Sequence, residues 1–151
     1  QNLPTFRQWL EAYRLFWGLS YQILVAPNGQ SRQPVLKELL EAYPSFPKDP
    51  YLQACFFEKL LFNYTAEKTF HPEDSWVNWG NFAGTFESAY ALGCKNLVLE
   101  IKYGDLLALE NQNSEAAKVY ERALRLSPED EMIRERLRQL SLPPGQRGLE
   151  N

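Results

Sequence analysis

The chain has 151 residues, 44% hydrophobic and 14% aromatic, enough for one core of ordinary size. Its formal charge is −3, with 16 basic and 19 acidic residues. The two signs are interspersed, which argues against the basic stripe of a nucleic-acid surface and against charge-driven membrane attachment.

The longest apolar stretch, Leu15 to Ala26, is broken by Gly18, Ser20 and Gln22. It falls short of the roughly 20 apolar residues of a spanning helix, so no membrane insertion is expected. No basic n-region with a cleavage pattern marks a signal peptide. The chain begins at Gln1 without a methionine, which reads as a processed form or a piece of a longer protein. Any anchor would belong to the missing part. Cys55 and Cys94 fall in helical segments and read as buried thiols of a reducing, cytoplasmic compartment.

Thr5 is a plausible N-cap for a first helix, followed by Phe6, Trp9, Leu10, Tyr13, Phe16, Trp17 and Leu24 at helical spacing. Ala26 to Gln30 is a turn. Pro34 opens a second helix with Leu36, Leu39, Leu40 and Tyr43 on its apolar face, and Pro44 and Pro47 end it. Asp49-Pro50 starts a third helix, expected to run to about Tyr64. A loop from Thr65 to Asp74 follows, with His71-Pro72-Glu73-Asp74 read as a helix start. The fourth helix is expected over about 75–92, with Gly93 as its C-cap, and the fifth over about 96–110. Asn111-Gln112-Asn113 is a turn before a sixth helix, 114–126. Ser127-Pro128-Glu129-Asp130 caps a seventh that ends near Leu140, and 142–151 is a flexible tail. No segment reads as a strand.

Shifted by 34 residues, Phe82-Ala83, Phe86, Ala89-Tyr90 and Leu92 fall on Ala116-Ala117, Tyr120, Ala123-Leu124 and Leu126. Shifted by 81, Val35-Leu36, Leu39 and Ala42-Tyr43 fall on the same positions. Tyr103-Gly104-Asp105-Leu106-Leu107 and Trp17-Gly18-Leu19-Ser20-Tyr21 carry a large-Gly-x-x-large element. In both, the glycine is expected to admit a neighbouring helix. The segment Glu115 to Asp130, with small Ala116 and Ala123 around Tyr120, resembles the second helix of a tetratricopeptide (TPR) repeat, and the 34-residue period is that family's. The match is uneven. Phe57 stands where the second repeat would need glycine, and the first repeat has about five extra residues.

The resemblance implies an all-α, right-handed superhelical array in a single domain, 1–141. Three helical hairpins at about 5–43, 50–92 and 96–126 would be closed by a polar capping helix at about 128–140, with Glu131, Arg134, Glu135, Arg136 and Arg138 exposed. It also implies a concave groove lined by the first helix of each repeat. Carried over to this chain, the groove holds Leu19, Tyr51, Glu58, Phe62, Ile101, Asp105 and Glu135. The acids among these residues disfavour clamping a carboxylate tail and favour a partner segment with apolar anchors and a basic residue. Trp9, Tyr13, Phe16, Trp17 and Tyr21 point in too many directions for one buried face, so core packing is expected for most and a homodimer or partner contact for the remainder.

Chemistry is not expected. There is no CxxC or HxxxH spacing for a metal and no phosphate- or nucleophile-binding motif. The only histidine is His71. No catalytic residue and no cofactor is assigned. The expected function is a protein-interaction module: a scaffold, adaptor or assembly factor. The alternative is a small-molecule-binding or oligomerising regulatory domain of a larger protein, its pocket lined by Trp76, Trp79 and Phe82.

Overall fold

The computed structural model describes residues 5–25, 29–93 and 96–146, apart from the side chains of residues 16, 19–25 and 144. The described residues are all-α, with seven α-helices and two short 3-10 turns, and contain no strand. The chain divides into two compact units, Gln1–Cys94 and Lys95–Asn151. The tail beyond residue 146 lies outside the described residues.

The first unit holds α1 (Phe6–Val25), α2 (Gln33–Ala42), α3 (Pro50–Phe70) and α4 (Trp79–Gly93), with a 3-10 turn at Tyr43–Ser45. Local sequence sets the helix starts. Thr5 Oγ1 accepts from the Gln8 amide at 3.2 Å while Gln8 Oε1 accepts from the Thr5 amide at 2.8 Å, a reciprocal capping box. Asp49 caps α3 by accepting from the Leu52 amide at 3.1 Å, with Pro50 at the first helical position.

Helix α3 runs to Phe70, six residues past the expected end at Tyr64. Thr65 to Phe70 contains no breaker, and the first residue barred from the α region is His71, which precedes Pro72. His71 is therefore the end of α3 and not the start of α4. Its Nε2 donates to the Gly29 carbonyl at 2.8 Å. Fully buried Glu67, one turn earlier, accepts from Ser31 Oγ at 2.9 Å and the Arg32 amide at 2.5 Å. Helix α4 begins at Trp79, four residues later than expected. Asp74 and Asn78 capture the Trp76 and Gly80 amides at 3.1 and 2.8 Å, and these local turns compete with helix.

Helix α3 is apolar on nearly every side and forms the centre of this unit. Leu36 and Leu39 of α2, and Phe82, Phe86 and Ala89 of α4, are fully buried with Phe56, Phe57, Leu60 and Tyr64 of α3. Aromatic rings meet edge-on across α3 and α4, with Tyr64 at 4.9 Å from Phe82 and 5.5 Å from Phe86. Trp76 meets Phe82 the same way at 5.4 Å, and Trp79 stacks on Phe86 at 5.5 Å. Trp76, Trp79 and Phe82 therefore each pack against another aromatic ring. Among the described residues, the principal packing partner of both α1 and α2 is α3, rather than each other as in a first hairpin. No atom lies within 4 Å of where a Cβ at Gly18 would stand, so this glycine does not mark a close helix approach.

The second unit holds α5 (Leu97–Leu109), α6 (Asn113–Leu126) and α7 (Glu131–Leu140). Asn96 caps α5 through the Val98 and Leu99 amides at 2.8 and 3.3 Å. Asp130 caps α7 through Met132 and Ile133 at 2.9 and 3.3 Å. Helices α5 and α6 form a tight hairpin. Ala116, Tyr120 and Ala123 are fully buried, and Gly104 lies against the Tyr120 ring. Fully buried Glu100 pairs with Arg122 at 2.9 Å across the two helices. Helix α7 packs on α6 and buries Ile133 completely.

Candidate functional site

The seven residues assigned to a groove have different fates. Leu19 falls outside the described side chains. Tyr51, Glu58 and Phe62 share α3 and are exposed. Their spacing of seven and four places them on one helical face.

The three residues in the second unit are otherwise engaged. Ile101 is buried and offers no binding surface. Asp105 accepts a hydrogen bond from the Tyr120 hydroxyl, and Arg136 Nη2 donates to its other oxygen at 3.1 Å. Burial, followed by that bond to Asp105, drives the Tyr120 pKa strongly upward. Arg136 Nε stands 2.6 Å from Asp105, so this arginine, expected on an exposed cap, is half-buried in an ion pair. Glu135 is exposed but takes Arg138 at 2.5 Å and Gln139 at 2.7 Å. The Arg138 bond, then the Gln139 bond, lowers its pKa to about 2. An acidic stripe of Glu58, Asp105 and Glu135 therefore reduces to one acid, Glu58, that is in no ion pair among the described residues.

Glu58 lines a cavity of about 270 Å³ between α1 and α3. Tyr13 and Trp17 come from α1, and Tyr51, Leu52, Cys55, Glu58 and Lys59 from α3. Trp9 stacks on Tyr13 at 5.8 Å and on Tyr51 at 6.2 Å, so three rings hold the helices together at one end. The rim is wet and the floor dry. Trp17 is 73% and Tyr51 57% exposed, whereas Leu52 is buried.

A hydrogen bond to the Tyr13 phenol raises the Tyr51 pKa to about 12, with the neighbouring Cys55 thiol adding to the rise. Partial burial pushes the Cys55 thiol upward, against a lowering hydrogen bond from Tyr51. A raised thiol pKa is the reverse of what an activated nucleophile needs. Nor can Cys55 meet His71: they are sixteen positions apart along α3 and its C-cap, about 24 Å at 1.5 Å per residue. Cys94 lies outside the described residues. Among those described, no cluster of three His, Cys, Asp or Glu side chains is placed to hold a metal ion. No described helix is long and apolar enough to cross a membrane. Chemically, the cleft can receive one or two apolar side chains and set a cation beside Glu58.

Tyr13 and Trp17 were singled out in the sequence as surplus aromatics but were not placed in the groove. The signal was the spacing of Phe6, Leu10, Tyr13 and Trp17, which line up on one face of α1 while Ala12 faces inward. Comparisons with protein-family models, with curated proteins and with solved structures return no match for this chain.

Proposed function

We propose that this protein is an interaction module that takes an apolar-anchored partner segment into the cleft between α1 and α3, with Glu58 favouring a basic residue on that segment. The observation that carries the reading is the cavity of about 270 Å³ whose lips, Trp17 and Tyr51, stand mostly in water. Fully burying one large apolar side chain is worth about 1.5–3 kcal/mol, so two anchors and two covered rings suffice for a docking event. The cavity is smaller than the roughly 300–1,000 Å³ of small-molecule sites, which favours an anchor side chain over a free ligand. Helices α5–α7 fit a degenerate tetratricopeptide repeat with its cap, supported by buried Ala116 and Ala123 and by the glycine beneath Tyr120. On that reading the module belongs to a helical-repeat scaffold, adaptor or assembly factor.

The test is fluorescence anisotropy with labelled amphipathic helical peptides that differ only in flanking charge. Peptides flanked by lysine or arginine should bind best, and Glu58→Lys should turn the preference toward glutamate-flanked ones. Tyr51→Ala should weaken all of them about tenfold. Equal binding by the parent and both variants would remove the cleft from the reading.

A further inference from the structure

We propose that the segment this cleft takes is α1 of a second copy of the chain, in a two-fold pair that buries both aromatic faces. The inference rests on the docking reading above and names its partner.

Helix α1 is two-sided. Ala12 is buried and Trp9 stacks on Tyr51, so one face is committed to α3. On another face Phe6, Leu10, Tyr13 and Trp17 recur at intervals of four, three and four, 83%, 42%, 39% and 73% exposed. That interval pattern is the seam of a helix pair, and at 1.5 Å per residue it runs about 16 Å along the helix. Tyr13 and Trp17 belong to the stripe and to the cavity wall at once. One surface therefore carries both the projecting rings and the hollow that would receive them, the self-complementarity a two-fold contact requires.

The edges match as well. On the α3 side the surface is bordered by exposed Glu58, with half-buried Lys59 beside it. On the far side of α1 it is bordered by Arg7 and Arg14, seven residues apart and so on one line. A parallel two-fold pairing of two α1 helices turns the basic edge of each copy toward the Glu58 edge of the other. Neither Arg14 nor Glu58 is in an ion pair among the described residues, and Arg7 holds only the exposed Glu11 at 3.5 Å. The area is of the right order. With aromatic side chains at roughly 200 Å² each, the exposed parts of Phe6, Tyr13, Trp17 and Tyr51 supply about 500 Å² per copy. Leu10 and the arginine stems extend this toward the roughly 800 Å² per partner of a standard specific interface.

Sedimentation equilibrium of the whole chain over the micromolar range should show a reversible monomer–dimer equilibrium. Trp17→Ala, at an exposed position, should weaken it about tenfold or more. Arg7→Glu/Arg14→Glu and Glu58→Arg should each weaken self-association alone, and an equimolar mixture of the two variants should restore the dimer. In a Cys94→Ser background, alkylation of Cys55 should slow as protein concentration rises. Circular dichroism confirms that each variant is folded. A monomer at all concentrations, or a dimer indifferent to Trp17→Ala and to the charge reversals, overturns the proposal. If the chain is monomeric and an amphipathic peptide still shields Cys55, the second copy is wrong and the docking reading stands. If neither shields it, both fall.

Discussion

Gly104 of α5 lies directly beneath the Tyr120 ring of α6: a Cβ at Gly104 would stand 2.5 Å from Tyr120 Cε1 and 2.8 Å from Cδ1. Tyr120 is fully buried and its hydroxyl is tied to Asp105, so the ring cannot step aside. Gly104→Ala gains about 1 kcal/mol of helix propensity but overpacks a fixed ring, a change that costs about 1–3 kcal/mol. The expected outcome in urea unfolding is a net loss of stability. Gly104→Ala/Tyr120→Phe should recover part of it, because a ring freed from Asp105 can shift.

Gly93 is more stringent, because its neighbours are backbone. A Cβ there would meet the Ala54 amide nitrogen at 2.2 Å and the Pro50 carbonyl at 2.7 Å. Backbone atoms at the start of α3 can move only with the whole helix. Gly93→Ala should cost about 3 kcal/mol, the upper end of overpacking. The loss should appear as a lowered Tm and as faster hydrogen exchange in the first turns of α3.

Asp105 serves the fold of the second unit. Replacing it with alanine strands the Tyr120 hydroxyl and frees Arg136. An unsatisfied buried donor costs about 1–3 kcal/mol. Asp105→Ala should destabilise by that amount in chemical denaturation and leave peptide affinity at the α1–α3 cleft unchanged. Glu58→Lys should do the opposite, changing affinity with little effect on stability.

The Tyr51 phenol should titrate near pH 12. Its pKa is raised in the folded state, so the associated stability is fully present below pH 10, the ordinary tyrosine value, and is lost as pH rises through 12. A difference titration at the phenolate absorption band, parent minus Tyr51→Phe, should place the transition there. Tyr13→Phe, which removes the hydrogen bond between the two phenols, should bring it back toward 10.

Much of the fold was legible because helix starts are local affairs. Thr5, Asp49, Asn96 and Asp130 each satisfy amides two or three residues away, and that reach is written in the chain itself. The close packing of α5 on α6 was legible for a related reason, since Gly104, Ala116 and Ala123 are small where two helices meet. Gly18 showed the same local pattern and had no neighbour to receive. A small residue permits close approach but does not bring a partner helix.

The composition and periodicity of this sequence determined that the chain is helical, where most helices begin, and that α1 carries more aromatic surface than one face can bury. Only the tertiary structure decided where that surface goes. The end of α3 is joined by Glu67 and His71 to residues 29–32, thirty-five to forty-two positions away. The groove residues were sorted in the same way. Ile101 went to the core, Asp105 and Glu135 took arginines, and Tyr51 and Glu58 came to line a cavity with Tyr13 and Trp17. Hydrophobic burial is non-directional, so an apolar or acidic residue at a helical position does not state which neighbour it will face. The assembled helices decide that, by which faces can be covered and which charges can be paired.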